Sequence, residues 1–269
     1  MQNHLCATCG SQFSESVEPP PRCPICEDER QFVSPEGQSW TTLDDLRRQH
    51  RNVLTELEPG LTEIITEPKF GIGQRALLVK TPAGNVLWDC LSLIDDATIE
   101  AINKLGGIAS LAMSHPHMYG SMVEWSYAFG HSPIHLHAAN QRWVMRPDPV
   151  VEFWGGESHR LDQGVALHCC GGHFTGATAL LWPEGAQGRG VLLTSDTMYV
   201  APSQSYVSFM YSYANYIPMS GPEIDSVVDK VAPLRFDRIY SHLPGLVINQ
   251  DAKLVLERSV ERYKKAIGS

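Results

Sequence analysis

The stretch Ser114-His115-Pro116-His117 sets two imidazoles one residue apart, directly after the apolar run from Ile108 to Met113. Two ring nitrogens at a strand's end can clamp one metal ion. Three further pieces follow in order: Gly172-His173-Phe174-Thr175-Gly176, Leu192-Leu193-Thr194-Ser195-Asp196 and Tyr240-Ser241-His242. Each could do ordinary structural work alone: a tight turn with a hydrogen-bonded histidine, a helix cap, a surface histidine. Together, each placed just after an apolar strand, they make a candidate metal site of several histidines and one carboxylate.

A second ligand set stands at the N-terminus, where Cys6-x-x-Cys9 and Cys23-x-x-Cys26 form two knuckles. Four thiolates folded back on one another make the tetrahedral set of structural Zn²⁺ sites, which keep no open position. Cys9-Gly10 and Cys23-Pro24-x-Cys26 also resemble rubredoxin-type knuckles, and soft thiolates accept iron as readily as zinc. Zinc is the expectation, with iron the alternative. Cys169 and Cys170 read as buried thiols, because a disulfide between vicinal cysteines is strained, with the alternative that one approaches the metal.

The elements that must position these groups alternate. Residues 1–35 carry both knuckles and the linker-like Pro19-Pro20-Pro21, and read as a small metal-stapled module. A helix capped by Thr41 or Thr42 is expected to run on through Val53 and Leu54 to Pro59-Gly60. Strands are expected at 61–66, 75–80, 86–90, 133–137, 150–154, 165–170, 177–182, 191–194 and 235–240. Helices are expected at 95–105, 121–129, 138–146, 222–231 and 252–267. Strands and helices in two comparable halves suit sheets covered on the outside by helices.

In this order the pieces resemble the metallo-β-lactamase superfamily, including its glyoxalase II-like hydrolases, whose metal motif is H-x-H-x-D-H. The resemblance covers about residues 60–250, and Leu87-Trp88-Asp89-Cys90 resembles the family's strand that ends in Asp. It implies an α/β fold, an αββα sandwich over residues 36–269 behind the zinc-ribbon module. It also implies that His115, His117 and His173 hold the first metal, that Asp196 is the carboxylate bridging two metals in dinuclear relatives, and that His242 is an outer ligand of the second. The other two second-site ligands are replaced by Tyr119 and Gly120. Glycine offers no donor and a neutral phenol is a poor substitute for carboxylate, so a single metal is expected.

Zn²⁺ on three histidines with an open fourth position would lower the pKa of water to about 7 and polarise an ester, thioester or lactone carbonyl. Asp196 would orient or deprotonate that water, and Tyr119 would either donate to the developing oxyanion or simply fill space. Two histidines with Asp196 also suit Fe(II), as in the superfamily's iron-dependent sulfur dioxygenases. A third reading is a binding protein that kept the fold and lost the chemistry. The aromatics Tyr206, Phe209, Tyr211, Tyr213 and Tyr216 follow Asp196 closely and are candidates for the pocket wall.

Bulk properties narrow the rest. A net charge of −9 argues against nucleic acid as a partner. No apolar run approaches the ~20 residues of a membrane span. The start, Met1-Gln2-Asn3-His4-Leu5-Cys6, is neither basic nor apolar, so a cytoplasmic protein acting on a small molecule is expected.

Overall fold

A computed structural model describes residues 1–269, and the apolar runs form its two main sheets. The first sheet has seven strands in chain order: β1 (Arg51–Glu58), β2 (Leu61–Glu67), β3 (Arg75–Val79), β4 (Val86–Trp88), β5 (Ser110–Ala112), β6 (Ile134–His137) and β7 (Val151–Trp154). Pairing is antiparallel from β1 to β4 and parallel from β4 to β7. The second sheet has six: β8 (Ser158–Arg160), β9 (Ala166–Cys169), β10 (Thr178–Trp182), β11 (Val191–Ser195), β12 (Arg238–Ser241) and β13 (Val247–Ile248). There β11 and β12 are parallel and the other neighbours antiparallel. The helices are α1 (Leu43–Gln49), α2 (Asp96–Lys104), α3 (Met122–Ala128), α4 (Gly221–Val231) and α5 (Ala252–Ile267).

Strand alternation assigns the layers. Leu77, Val79 and Trp88 of the first sheet meet Leu167, Leu180 and Leu193 of the second in the central core. Leu78 and Leu87 point the other way, onto Ile102 of α2 and Val123 and Trp125 of α3. Leu192 and Ile239 turn to the far side, onto Val227 of α4 and Val255 of α5. The result is the αββα order. Strands covered on both faces read as continuous apolar runs, which is why they were visible in the sequence. Each fully buried Leu or Val contributes about 1.5–3 kcal/mol.

Two expectations are corrected. The helix that Thr42 caps, its side chain accepting from the Asp45 N–H at 3.2 Å, stops at Gln49. Residues expected to continue it form β1, pairing Val53 with Ile65 and Leu54 with Ile64 across the Pro59-Gly60 turn. The β-branched Val53 and Thr55 suit a pleated ladder, and the hairpin satisfies backbone groups that an exposed helix end would leave to water. The second correction is at Ala138–Trp143, which is 3₁₀ rather than α-helical.

The knuckle segment packs on this frame. Its strand His4–Cys6 pairs with Trp40–Thr42, and Cys6, Cys9, Cys23, Ile25 and Cys26 share one apolar cluster with Leu78 of β3 and Met122 of α3. No helix is long and apolar enough to cross a membrane.

Candidate metal centre

Each ligand is set by a local feature of the chain. Beyond β5, the buried Asp89 carboxylate accepts the Ser114 N–H at 2.8 Å and fixes the strand's exit. His115 then caps a 3₁₀ turn, Pro116–Met118, whose proline presets φ and brings His117 back beside it. His173 follows Gly171 and Gly172, both at φ near +75°, and a Cβ on Gly172 would lie 2.7 Å from Met219 Cε. Asp196 leaves β11 after a register shift between Leu193 and Ser195. His242 leaves β12 and is anchored by buried Arg75, whose backbone N–H donates to the His242 carbonyl at 3.1 Å. The Arg75 guanidinium donates to the Ser241 carbonyl at 2.6 and 2.9 Å and pairs with Glu63 at 2.7 Å.

These loops bring His115, His117, His173 and Asp196 together, with one donor atom of each within 4.8 Å of all the others. His115 Nε2 lies 3.3 Å and His173 Nε2 3.7 Å from Asp196 Oδ2, and His173 Nε2 is 3.4 Å from His117 Nδ1. His242 Nδ1 contacts the other Asp196 oxygen. All four core groups are at most 4% exposed, yet the Nε2 atoms of His115 and His117 have no hydrogen-bond partner. Imidazole nitrogens gathered beside a carboxylate in a buried site, His117 through Nδ1 and His115 and His173 through Nε2, fit a cation.

Protonation agrees with that fit. Burial, then the charges of His115 and His173, holds His117 well below the usual imidazole range. Burial, then His115, pushes His173 down to about 3. Burial would raise Asp196, but His242 and His115 hold it well below the usual carboxylate range. Neutral imidazoles and an ionised carboxylate are the forms that ligate. The other ring nitrogens are oriented: His115 Nδ1 lies 2.9 Å from Ser114 Oγ, and His173 Nδ1 3.3 Å from the Met210 carbonyl.

The four cysteines also converge. All are free and buried, with Cys6 Sγ 3.5 Å from Cys26 Sγ and Cys9 Sγ 3.7 Å from Cys23 Sγ. A disulfide would need about 2 Å. Bonds of about 2.3 Å in a tetrahedron put sulfurs about 3.8 Å apart, so this set fits a tetrahedral cation.

The Tyr119 and Gly120 positions are remodelled. A Cβ at Gly120 would lie 2.5 Å from the Leu91 carbonyl oxygen, and its φ is +50°, so a ligand side chain has no room there. Tyr119 is 3% exposed, with Asn140 and Asp89 beside its hydroxyl; burial, then Asp89, raises its pKa. It lines a small space with Gln12, Trp143 and Arg146 rather than the cleft over the histidines. Tyr213 does line that cleft, and its hydroxyl donates to the Asp196 carbonyl at 3.1 Å. The cleft, about 580 Å³, is lined by His117, His173, Asp196 and His242 on its floor, with Tyr213 and Tyr216 on one wall. Thr8, Arg30, Gln31 and Phe32 of the N-terminal segment, with Lys69, also line it. Sequence reasoning missed Arg30, Phe32 and Lys69, since nothing local ties them to ligands so distant in the chain. His135 and His137 stay outside the site, near Glu152 at 3.7 Å and the Gly156 carbonyl at 3.1 Å.

No protein-family model matches the sequence. Among solved structures, DIM-1 metallo-β-lactamase is similar with a TM-score of 0.59 at 10% identity, over 80% of this chain and 98% of that one. TMB-1 gives 0.58 at 12% identity, over 80% and 98%. FIM-1 from Pseudomonas aeruginosa, in its mono-zinc form, gives 0.56 at 14%, over 80% and 96%. Likeness at these identities shows the fold. A relative in sequence is YmaE, an uncharacterized protein of Bacillus subtilis (strain 168), 45% identical over 271 residues and spanning 100% of this chain and 98% of that protein. With both lengths matched end to end, the chain belongs to the family of YmaE and is built on the metallo-β-lactamase fold.

Proposed function

We propose that the protein is a metal-dependent hydrolase of a small ester, thioester or lactone, working with one metal at the histidine site and a structural zinc on the four cysteines. The observation that carries this is the buried convergence of His115 Nε2, His173 Nε2 and His117 Nδ1 beside the Asp196 carboxylate. Three histidines beside a carboxylate, with His117, His173 and Asp196 lining the cleft, leave a position for substrate. A divalent cation there supplies Lewis acidity and makes water nucleophilic near neutral pH.

The chain's own residues supply the rest. Asp196, whose carboxylate stands beside the three histidines, takes the proton of the attacking water. His242 keeps that carboxylate aimed, and Arg75 keeps His242 in place from the opposite sheet. Asp196 and His242 have no third and fourth donor, because Gly120 is closed and Tyr119 faces away; this supports a single metal. Tyr119 therefore has a packing role in this reading, and Tyr213 steadies the Asp196 backbone.

The test is element-resolved metal content per chain, with turnover of an ester, thioester and lactone panel. Two zincs, of which His173→Ala removes one and abolishes turnover, support the reading. Iron at the histidine site would point to oxygenase chemistry. A filled site with no turnover of any substrate class would leave a binding protein.

A further inference from the structure

We propose that Arg30 is a positioning residue that couples the four-cysteine cluster to the histidine site, so that metal held by the thiolates strengthens metal held by the histidines. The inference rests on the metal-site reading above. Arg30 lies four residues after Cys26 and is 8% exposed. Its guanidinium is clamped on one side by Asp28, with Nε to Oδ1 at 2.5 Å and Nη2 to Oδ2 at 2.8 Å. On the other side Nη1 donates to the carbonyl of His173 itself, at 3.3 Å. Its plane covers Phe174 at 4.0 Å, and the Phe174 ring packs at 5.6, 5.0 and 5.1 Å against His115, His117 and His173.

The segment carrying Arg30 is itself fixed across the chain. Ser212 Oγ donates to the Arg30 carbonyl at 3.1 Å, and Asn215 Nδ2 to the carbonyls of Glu29 and Gln31 at 2.8 and 2.9 Å. One end is therefore tied to the second half of the fold. The other end runs through Cys26 into the thiolate cluster, with Ile25 beside it packed in the apolar cluster under the first sheet. A planar guanidinium bonded on two edges and stacked on a face transmits position in a way a flexible ammonium does not. Groups that orient metal ligands from behind are worth about 10- to 100-fold in metal affinity. Linkage makes the effect mutual: each site's metal must strengthen the other by the same factor.

The test uses the full-length protein with zinc alone as the probe. A stoichiometric mercurial releases zinc from the thiolates, and competition with a chelating indicator reads zinc affinity at the histidines. Arg30→Met is expected to keep its thiolate zinc at saturation while its histidine-site Kd rises about 10- to 100-fold. Asp28→Asn, which leaves Arg30 present but half unclamped, should move the same way by less, and it carries the test alone if Arg30→Met does not fold. Arg30→Lys should stay weakened; full recovery would mean that charge alone matters and would overturn the positioning role. A folded Arg30→Met or Asp28→Asn with wild-type Kd sinks the coupling while leaving the histidine site standing. Wild type that holds only mercurial-releasable zinc removes both.

Discussion

The backbone N–H of Gln12 donates to the carbonyl of Gly120 across 3.0 Å, joining the cysteine-bearing segment to the residue where the superfamily's motif has its last histidine. The degenerate motif and the added segment are thus in direct contact. Restoring the motif should fail for that reason. Gly120→His places a side chain at φ +50° with its Cβ 2.5 Å from the Leu91 oxygen. The expected cost is about 2–4 kcal/mol of stability. Urea unfolding measures it, and metal analysis of the Tyr119→Asp, Gly120→His double variant should show no additional bound ion. A gain of one zinc per chain would contradict the closed position.

Tyr119 and Tyr213 should separate cleanly. Tyr119→Phe is expected to leave turnover within about twofold, because Tyr119 lines a small space apart from the cleft over the histidines. Tyr213→Phe removes the bond to the Asp196 carbonyl, worth about 1 kcal/mol, and should lower kcat about fivefold. Steady-state kinetics on one substrate decides between them.

Cys23→Ser should cost several kcal/mol or prevent folding, since metal binding in such clusters is folding energy. The four sulfurs lie inside the apolar cluster that supports the first sheet, so the loss is not confined to a tail. Calorimetry with and without a chelator reads it: chelation should destabilise the wild type by clearly more than a folded Cys23→Ser variant, which has only the histidine-site metal left to lose.

The Asp28–Arg30 clamp gives a pH signature. Burial would raise the Asp28 pKa, but the Arg30 guanidinium holds it below the usual carboxylate range. A depressed acid pKa contributes stability that is fully present above the unfolded value of about 3.9 and disappears as pH falls through the lower folded value. The wild type should therefore exceed Asp28→Asn by about 2 kcal/mol at pH 7, and the gap should close below about pH 4. A gap that persists at pH 2.5 would assign the difference to something other than the carboxylate charge.

Legibility followed sequence distance. His115, His117, His173, Asp196 and His242 were readable because each ends an apolar strand, and strands buried on both faces announce themselves. The helix expected through Val53 and Leu54 failed because α1 and β1 abut with only His50 between them, and only pairing with β2 settles which period wins. Tyr119 could be placed at the motif but not oriented, since its direction depends on Gln12, Trp143 and Arg146 from distant segments. Arg30 had no signal: its partner carbonyl lies 143 residues away.

The candidate ligands enter from both sheets, His115 and His117 from the first and His173 and Asp196 from the second, with Arg75 crossing between them to the His242 loop. A cation chelated there spans the seam between the two halves of the polypeptide. Its residence time then sets how fast the halves can part, so chelation should accelerate global unfolding far more than it slows refolding. Resistance to proteolysis would depend on metal supply even where the active chemistry does not limit the cell.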